Sequence, residues 1–366
     1  MMQKNLKLKE IFSYKDRNNL NVIDLFSGCG GLSLGFDMAG YNIKAMIDFD
    51  KDSLLTAAKN DLAEHYLNLN LFEEDWIKGL TNKVKLNEVD IIVAGPPCQG
   101  FSLTGPRNLD DKRNKLYKAV FELVEKAKPK AFLIENVKGM ATLYKGQVKE
   151  EIVQEFTKLG YKVTTKILNS RDFGVPQSRE RLFYVGLKKK EFEFPDALFD
   201  ENEYTTCREA LEDLPSLENL EEVLSYRSNE SSCYQKLIKN GAKKLTNHQP
   251  TSHTKEVIEV IRQVPEGGNH KDLPPGVGES RKFNEAWTRY HGNKPSKTID
   301  TGHRNHFHYE HDRVPTIREN CRLQSFPDTF EMQGTKTSQN KQIGNAVPVL
   351  LVKILAEEIY DQIKGS

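Results

Sequence analysis

Cys98 is the residue whose setting in this sequence best suits a nucleophile. It follows Gly95-Pro96-Pro97, which in turn follow the mostly β-branched run at 89–94. The run predicts a buried strand, and the prolines end it because they cannot donate to a sheet ladder. Cys98 is therefore expected on a stiff support at the carboxyl end of a strand, where open α/β sheets bind ligands. The alternative is a small buried core residue, as most free cysteines are.

A carboxylate and two arginines are the other groups suited to chemistry. Glu135 comes directly after the apolar run 131–134, and burial there would disfavour its charged form and suit general-acid work. A helix cap or structural hydrogen bond is the alternative. Arg179 and Arg181 lead into another apolar run, and their spacing predicts that they share one strand face. Paired arginines suit an anion or a base carbonyl, with a surface salt bridge as the alternative.

A glycine-rich turn near the start of the chain predicts a nucleotide-type binding site. The apolar strand 21–26 is followed by Ser27-Gly28-Cys29-Gly30-Gly31 and then by helical spacing at 32–39. Glycines allow a ligand to approach the backbone at a helix N-terminus. The dinucleotide fingerprint requires a third glycine where Ser33 stands. This difference disfavours NAD and leaves another nucleoside-bearing cofactor.

Acidic residues after the next predicted strands extend this site. The strand 41–47 ends in Asp48-Phe49-Asp50, roughly 20 residues after the turn, where an acid commonly accepts ribose hydroxyls. Phe49 could cover a flat base. Further along, Glu73-Glu74-Asp75-Trp76 could accept a purine amino group, and an exposed turn is the alternative.

Composition describes a globular chain of about two domains. It has 366 residues and a formal net charge of +1. No apolar run approaches the roughly 20 residues of a membrane span, and the lysine-rich start predicts no signal peptide. Five cysteines without close pairs argue against disulfides and zinc ribbons. We therefore expect a reducing, cytoplasmic location.

The region 188–312 loses regular periodicity and is rich in Gly, Pro, His and Asn. An acidic stretch at 191–230 stands among basic ones, including Lys188-Lys189-Lys190 and the Arg and His residues from Arg281 to Arg322. A polyanion-binding face and ordinary solvated charge are equally compatible with this pattern. The histidines near 303–311 are expected to contact phosphates or bases, and no metal site is predicted, since zinc sites need firmer geometry.

Taken together, the motifs resemble those of the bacterial DNA (cytosine-5)-methyltransferases. Five blocks, in the family's order, carry the resemblance. They are Asp24-Leu25-Phe26-Ser27-Gly28-Cys29-Gly30-Gly31; Pro96-Pro97-Cys98-Gln99-Gly100-Phe101-Ser102; Glu135-Asn136-Val137; Gln177-Ser178-Arg179-Glu180-Arg181; and 313–330 with 342–348. Any one block alone would be a weak signal, but the ordered set is specific.

The resemblance implies a fold and a domain organisation. The fold is α/β, with a Rossmann-like, mostly parallel sheet of the S-adenosylmethionine-dependent methyltransferase type and a smaller, loop-rich target-recognition domain. The catalytic domain would be discontinuous, comprising 1–187 and 335–366. Residues 188–334 would form the target-recognition domain and return segment.

The resemblance also assigns site residues. Cys98, Glu135, Arg179 and Arg181 would be catalytic. Phe26, Gly28, Gly30, Asp48, Phe49, Asp75, Trp76, Pro97, Leu116 and Asn345 would bind S-adenosylmethionine. Asp48 departs from the family's usual glutamate, and Asp75 lies further along the chain than usual without the common preceding glycine, so Glu74 is a possible substitute.

The implied activity is methyl transfer to carbon 5 of a cytosine flipped out of double-stranded DNA, because the target atom is hidden in the duplex. Cys98 would add to carbon 6 and make carbon 5 nucleophilic. We expect a monomer acting in a restriction–modification or phage-defence system, with a cognate restriction or defence protein as a possible partner. A tRNA cytosine methyltransferase and a DNA-binding regulator with an idle fold are the alternatives.

Overall fold

A computed structural model of the chain shows two compact units, here called the sheet unit and the loop-rich unit. The structure describes residues 2–16, 20–97, 115–217, 225–227, 230–280, 286–302 and 305–365. The sheet unit consists of Ser13–Asn169, Glu180–Asp196 and Leu351–Ser366. The loop-rich unit consists of Met1–Phe12, Ser170–Arg179 and Ala197–Leu350. The chain therefore passes between the units several times.

The described part of the sheet unit contains a seven-stranded sheet. Its strands are β1 (Asn21–Leu25), β2 (Asn42–Asp48), β3 (His65–Asn68), β4 (Ile91–Ala94), β5 (Ala131–Val137), β6 (Lys162–Asn169) and β7 (Glu180–Leu187). Their order across the sheet is β3-β2-β1-β4-β5-β7-β6. The first five strands in that order run parallel, and β7 is antiparallel to both its neighbours. This arrangement confirms the predicted α/β class with a mostly parallel sheet.

Helices connect and cover these strands. They are α2 (Gly31–Met38), α3 (Lys51–Lys59), α4 (Trp76–Thr81), α5 (Lys115–Ala127), α6 (Gln147–Lys158) and most of α12 (Val349–Lys364). α12 packs closely on α2, since a Cβ on Gly35 would lie 2.5 Å from Val352 Cγ1. Tyr41 also donates a 2.8 Å hydrogen bond from Oη to the Ala356 carbonyl. The last helix is thus part of the core of the sheet unit.

The loop-rich unit has short elements joined by irregular chain. Its helices are α1 (Met2–Phe12), α7 (Cys207–Leu211), α8 (Cys233–Lys239), α9 (Lys255–Gln263), α10 (Ile317–Leu323) and α11 (Lys336–Asn345), and its strands are β8 (Thr288–Arg289) and β9 (His306–Phe307). Capping boxes begin α7, α8 and α10 at Thr206, Ser232 and Thr316. Such caps satisfy the free backbone N–H groups at the start of a helix, which matters most when helices are this short.

Buried arginines hold the loop-rich unit together. Arg322 is fully buried between the carboxylates of Asp213 and Asp328, the latter 2.7 Å away. Arg313 makes a bidentate pair with Glu319, with both N–O distances 2.7 Å. Arg318 and Arg289 are also buried and donate to main-chain carbonyls. The interpretation of the cations between Arg281 and Arg322 as a polyanion-binding face is therefore wrong for these four residues, because they are buried and paired.

The structure also sets three element limits that the sequence pattern does not mark. α11, which begins where Thr335 accepts from the Ser338 N–H, includes the first residues of the block 342–348 in its last turn. α3 ends at Lys59, after which Asp61 has a φ of 51°. β7 begins at Glu180, so Arg179 lies outside the regular strand. Local capping and turns, which periodicity does not report, set these limits.

The two compact units do not coincide with the predicted domains. Residues 335–350 were expected in the catalytic domain but pack within the loop-rich unit, and so does Met1–Phe12. Compact packing does not by itself assign a function to either unit. The division into catalytic and target-recognition domains therefore remains a prediction.

Replacing Arg322 with leucine should strongly destabilise the fold. Arg322→Leu leaves two buried carboxylates without their cation, which costs about 3–5 kcal/mol of unfolding free energy. Urea unfolding measures this loss. The matched control is Arg262→Leu, because Arg262 is 59% exposed in its ion pair with Glu259, and such pairs contribute less than about 1 kcal/mol. Equal losses in the two variants would contradict a structural role for the buried network.

Candidate active site at the carboxyl end of the sheet

The glycine turn after β1 has a backbone that few residue types could adopt. Gly28 and Gly30 have φ values of 52° and 100°, and Phe26 has a φ of 57° although it carries a side chain. A Cβ on Gly30 would lie 2.3 Å from Leu62 Cδ1, whereas one on Gly28 would meet no atom within 4 Å. Gly30 is therefore required for packing, while Gly28 leaves open space above the backbone. Positive φ at a non-glycine residue is a strain typical of functional sites.

Asp48 closes this turn from the end of β2. Its Oδ2 accepts the Gly28 N–H at 2.8 Å, and its Oδ1 accepts the Asp50 N–H at 2.9 Å. Burial raises the pKa of Asp48, and the backbone donors oppose that rise. Phe49 beside it is 68% exposed, and Asn68 holds its carbonyl at 2.8 Å. A fixed carboxylate and an exposed ring thus stand side by side, which suits a ribose and a flat base.

Glu135 and Arg181 form a shielded ion pair at the same edge of the sheet. Arg181 Nε lies 2.9 Å from Glu135 Oε1, and their side chains are only 14% and 10% exposed. The pair joins the end of β5 to the beginning of the antiparallel β7. A Cβ on Gly95 would lie 3.7 Å from Glu135 Oε2, so this carboxylate stands beside the chain that leads from β4 to Cys98. Cys98 itself and the loop 99–104 lie outside the described residues.

Asn136 holds the proline segment in place, a role that the sequence did not reveal. Its Nδ2 donates to the Pro96 carbonyl at 3.1 Å and to Tyr117 Oη at 2.8 Å. Asn136 is 2% exposed, and a buried amide that bridges two elements fixes both. The signal in the sequence was an amide directly after an apolar strand. Pro97, the last described residue before Cys98, is exposed.

Arg179 and Asn345 belong to the loop-rich unit. Arg179 is 2% exposed and donates to the carbonyls of Ile299 and Gly344 at 3.2 and 2.9 Å. β7 begins at Glu180, so Arg179 lies just before the regular strand, and each arginine has its own partners. That Arg179 and Arg181 share one face stays a prediction. Asn345 is the exposed last residue of α11.

The remaining predicted cofactor residues are dispersed. Asp75 is exposed at the start of α4 and makes no side-chain cap there. Trp76 next to it is 4% exposed and packs in the hydrophobic core of the sheet unit. Glu74 is exposed, and Leu116 lies in α5 with its side chain outside the described residues. Of the predicted cofactor set, the structure groups Phe26, Gly28, Gly30, Asp48 and Phe49 at one edge.

Comparison with known proteins identifies the family. The family model described as C-5 cytosine-specific DNA methylase matches residues 20–361. The chain belongs to this DNA methylase family. Membership implies that DNA is the substrate and S-adenosylmethionine the methyl donor. It confirms the resemblance drawn from the five sequence blocks.

Two relatives and one solved structure agree with this identification. The chain is 36% identical to Type II methyltransferase M1.HphI of Haemophilus parahaemolyticus, across 93% of this chain and 87% of that protein. It is 37% identical to Type II methyltransferase M.DdeI of Desulfomicrobium norvegicum, across 93% and 88%. A prophage-encoded DNA modification methyltransferase from E. coli superposes with a TM-score of 0.75 at 27% identity, covering 94% of this chain and 99% of that one.

A more distant solved structure shares the fold. The S. pombe Dnmt2 methyltransferase superposes with a TM-score of 0.62 at 18% identity, covering 94% of this chain and 99% of that one.

None of the helices in the described parts of the present chain is long and apolar enough to cross a membrane.

Two histidines of the loop-rich unit, His306 and His308, are buried in this methyltransferase. His308 stacks between Tyr309 and His311, with ring centroids 4.4 and 4.5 Å apart, and burial lowers its pKa well below its usual range. His306 is 7% exposed, and His303 lies outside the described residues. The burial of His306 and His308 disfavours the contacts to phosphates or bases that we expected, and those contacts stay a prediction. Within the described ranges no three His, Cys, Asp or Glu side chains are grouped to hold a metal.

Asp24 is a buried acid that the sequence did not single out. It is fully buried in β1, and Ser33 Oγ of α2 donates to its Oδ2 at 2.7 Å. Its Oδ1 has no hydrogen-bond partner among the described residues. Burial raises the pKa of Asp24 to about 7, with a further rise from Asp48 and an opposing effect of Ser33. The residue that replaces the third fingerprint glycine thus ties the start of α2 to β1.

Asp24→Asn should change how stability depends on pH. The folded state keeps a proton up to about pH 7, whereas the unfolded carboxyl loses it near 3.8. Raising the pH through this window therefore destabilises the wild-type fold, by roughly 4 kcal/mol at most. Asparagine does not titrate, so the variant should gain stability relative to wild type as pH rises and level off above pH 7. Urea unfolding across the range measures this difference.

Asn82→Ala is the control for this test, because Asn82 is exposed and carries no ionisable group. Its stability difference from wild type should stay nearly constant across the same pH range. A constant difference for Asp24→Asn as well would show that burial does not hold the proton on Asp24.

Proposed function

We propose that this enzyme transfers a methyl group from S-adenosylmethionine to carbon 5 of a cytosine flipped out of a specific short double-stranded DNA sequence. The observation that carries the proposal is the shielded Glu135–Arg181 pair beside Gly95, three residues before Cys98. The Type II methyltransferases among its relatives support a role in protecting host DNA in a restriction–modification or phage-defence system.

The catalytic roles follow from residue chemistry. Carbon 5 of cytosine is a weak nucleophile until a thiolate adds at carbon 6, and Cys98 supplies that sulfur. Glu135 holds or protonates ring nitrogen 3 as charge develops during the addition. Arg181 holds the Glu135 carboxylate in one orientation, and Arg179 positions the base carbonyl. Loss of the carbon-5 proton and elimination of the Cys98 thiolate then release the methylated base.

The turn at the end of β1 fits S-adenosylmethionine. Gly28 leaves open space above the backbone, Asp48 presents a fixed carboxylate for the ribose, and exposed Phe49 can cover the adenine. When bound, the cofactor supplies an electrophilic methyl group. Phe26, Gly30, Asp75, Trp76, Pro97, Leu116 and Asn345 complete the proposed set. Trp76 is included although its ring is 4% exposed and packs in the hydrophobic core of the sheet unit.

Double-stranded DNA is the proposed partner of the loop-rich unit. With the central arginines buried, the exposed cations among the described residues there include Lys236, Lys243, Lys244 and Arg227. Cations of this kind can hold phosphates and fix the register of a duplex, whereas base contacts set the sequence. We propose that the enzyme acts as a monomer in the cytoplasm, alongside a cognate restriction or defence protein.

A mechanism-based trap tests the proposal. DNA carrying 5-fluorocytosine should become covalently fixed to the wild-type enzyme when S-adenosylmethionine is present, because fluorine cannot leave as a proton does. Cys98→Ala should form no adduct and transfer no methyl. Bisulfite sequencing of host DNA then gives the methylated site. Covalent capture of tRNA in place of DNA would refute the proposed substrate.

Glu135→Gln should lower kcat on the order of 10²- to 10⁴-fold, because it removes a proton donor and the charge that Arg181 holds. DNA and cofactor binding should persist. Single-turnover methylation with tritiated donor measures the chemical step. Glu180→Gln is the matched control, since Glu180 is at the start of β7 in an exposed pair with Lys138. An equal loss of activity in both variants would remove Glu135 from the mechanism.

A further inference from the structure

α1 precedes the region matched by the family model, yet it is built into the loop-rich unit. The model begins at residue 20, while α1 spans Met2–Phe12 and buries Leu8 and Ile11 to 1% and 4% exposure. Phe12 packs edge-on against Tyr234 of α8, with ring centroids 5.5 Å apart. A helix outside the shared family region thus has a specific docking site on this chain.

The apolar face of α1 covers the loop 170–179. A Cβ on Gly174 would lie 2.7 Å from Ile11 Cδ1 and 3.3 Å from Leu8 Cδ2. Gly174 also has a φ of 83°. A glycine is therefore needed at this position both for its backbone conformation and for the close approach of α1.

The polar face of α1 holds the chain that follows this loop. Lys4 Nζ lies 2.6 and 2.8 Å from the two oxygens of Glu209 and 3.1 Å from the Tyr204 carbonyl. Lys7 Nζ contacts Glu203 at 2.7 Å and the Leu198 carbonyl at 2.8 Å. The segment from 198 to 209 is therefore fixed to one side of the helix.

That segment in turn holds the loop. The N–H groups of Leu198 and Phe199 donate to the Asp172 carbonyl at 2.9 and 3.1 Å. Tyr204 Oη donates to Asp172 Oδ1 at 2.8 Å. α1 therefore contacts the loop 170–179 directly at Gly174. It also holds the loop at Asp172, through the segment 198–209.

Hydrogen bonds within the loop link these contacts to Arg179. Its ends are joined by a hydrogen bond from the Ser170 N–H to the Arg179 carbonyl at 3.1 Å, and Ser170 Oγ donates to the Gln177 carbonyl at 2.6 Å. The Ser178 N–H donates to the Ser296 carbonyl at 2.8 Å. These hydrogen bonds connect Gly174 to Arg179 through a closed loop.

From these contacts we infer that α1 is a positioning element for the loop 170–179 and, through it, for the guanidinium of Arg179. The catalytic consequence rests on the role of Arg179 in the proposed function. Leu8 and Lys4 are positioning residues, because they reach Arg179 only through the loop.

Paired leucine substitutions on α1 test the inference in the full-length enzyme. Leu8→Ala removes the side chain above Gly174, while Leu6→Ala makes the same change at a residue that is 58% exposed. Hydrogen exchange of the 170–179 amides should increase in Leu8→Ala and not in Leu6→Ala. Methylation kcat should fall on the order of ten- to a hundredfold in Leu8→Ala, as expected for a displaced positioning group. KM for S-adenosylmethionine should not change.

A second pair keeps the test decisive if Leu8→Ala does not fold. Lys4→Met should reproduce the loosened loop and the lowered kcat, and Lys4→Arg should restore both because it can pair with Glu209. Lys9→Met is the matched control, since Lys9 is exposed on the same helix.

The outcomes separate the inference from the function it rests on. Unchanged exchange of the loop in folded Leu8→Ala and Lys4→Met overturns the positioning role, and so does a loosened loop with wild-type kcat. A rise in KM for the cofactor equal to the fall in kcat also overturns it, because general loss of structure would produce that pattern. Full activity in Arg179→Ala would instead refute the proposed role of Arg179, whatever the exchange data show.

Discussion

The active-site edge depends on an ion pair that only an antiparallel strand can make here. Glu135 lies near the end of β5, and Arg181 is the second residue of β7. Because β7 runs antiparallel to β5, its beginning meets the end of β5. A parallel strand would carry Arg181 to the opposite edge of the sheet. The reversal of one strand within a mostly parallel sheet therefore brings a cation to the edge where the other strands present their carboxyl ends.

Shielding makes this pair more than a surface contact. Exposed ion pairs are screened by water and contribute little, whereas a pair with side chains 14% and 10% exposed holds its geometry. The same edge carries Gly95, whose missing side chain leaves room beside the Glu135 carboxylate. Pro96, the residue after Gly95, is held because its carbonyl accepts a hydrogen bond from Asn136. Three neighbouring strands thus form this edge. β5 carries the Glu135 carboxylate, β7 carries Arg181, and β4 leads into the proline segment before Cys98.

The sequence predicted the elements better than their partners. Apolar runs located the strands, since β1, β4 and β5 are buried along nearly their whole length, and the glycine turn was recognisable from its composition. Period and composition do not report tertiary contacts, however. For this reason, the burial of Trp76, the raised pKa of Asp24 and the separate partners of Arg179 and Arg181 could not be read from the chain.

The buried arginines show the same limit most clearly. In sequence, Arg313, Arg318 and Arg322 form a cationic run typical of polyanion binding. In the fold, their partners Glu319 and Asp328 come from the same short stretch, while Asp213 comes from more than 100 residues away. A count of charges cannot distinguish a buried, paired arginine from an exposed one, because the fold decides which side chains are buried and paired.

Charge-assisted hydrogen bonds do in the loop-rich unit what strand ladders do in the sheet unit. Its strands β8 and β9 are two residues each, so few backbone groups in its described residues belong to a sheet ladder. Arginine suits this task, since its five donors can satisfy several carbonyls and carboxylates at once. Arg179 acts in the same way on the carbonyls of Ile299 and Gly344. Buried, paired arginines therefore supply in the described part of this unit the backbone partners that a regular sheet would otherwise provide.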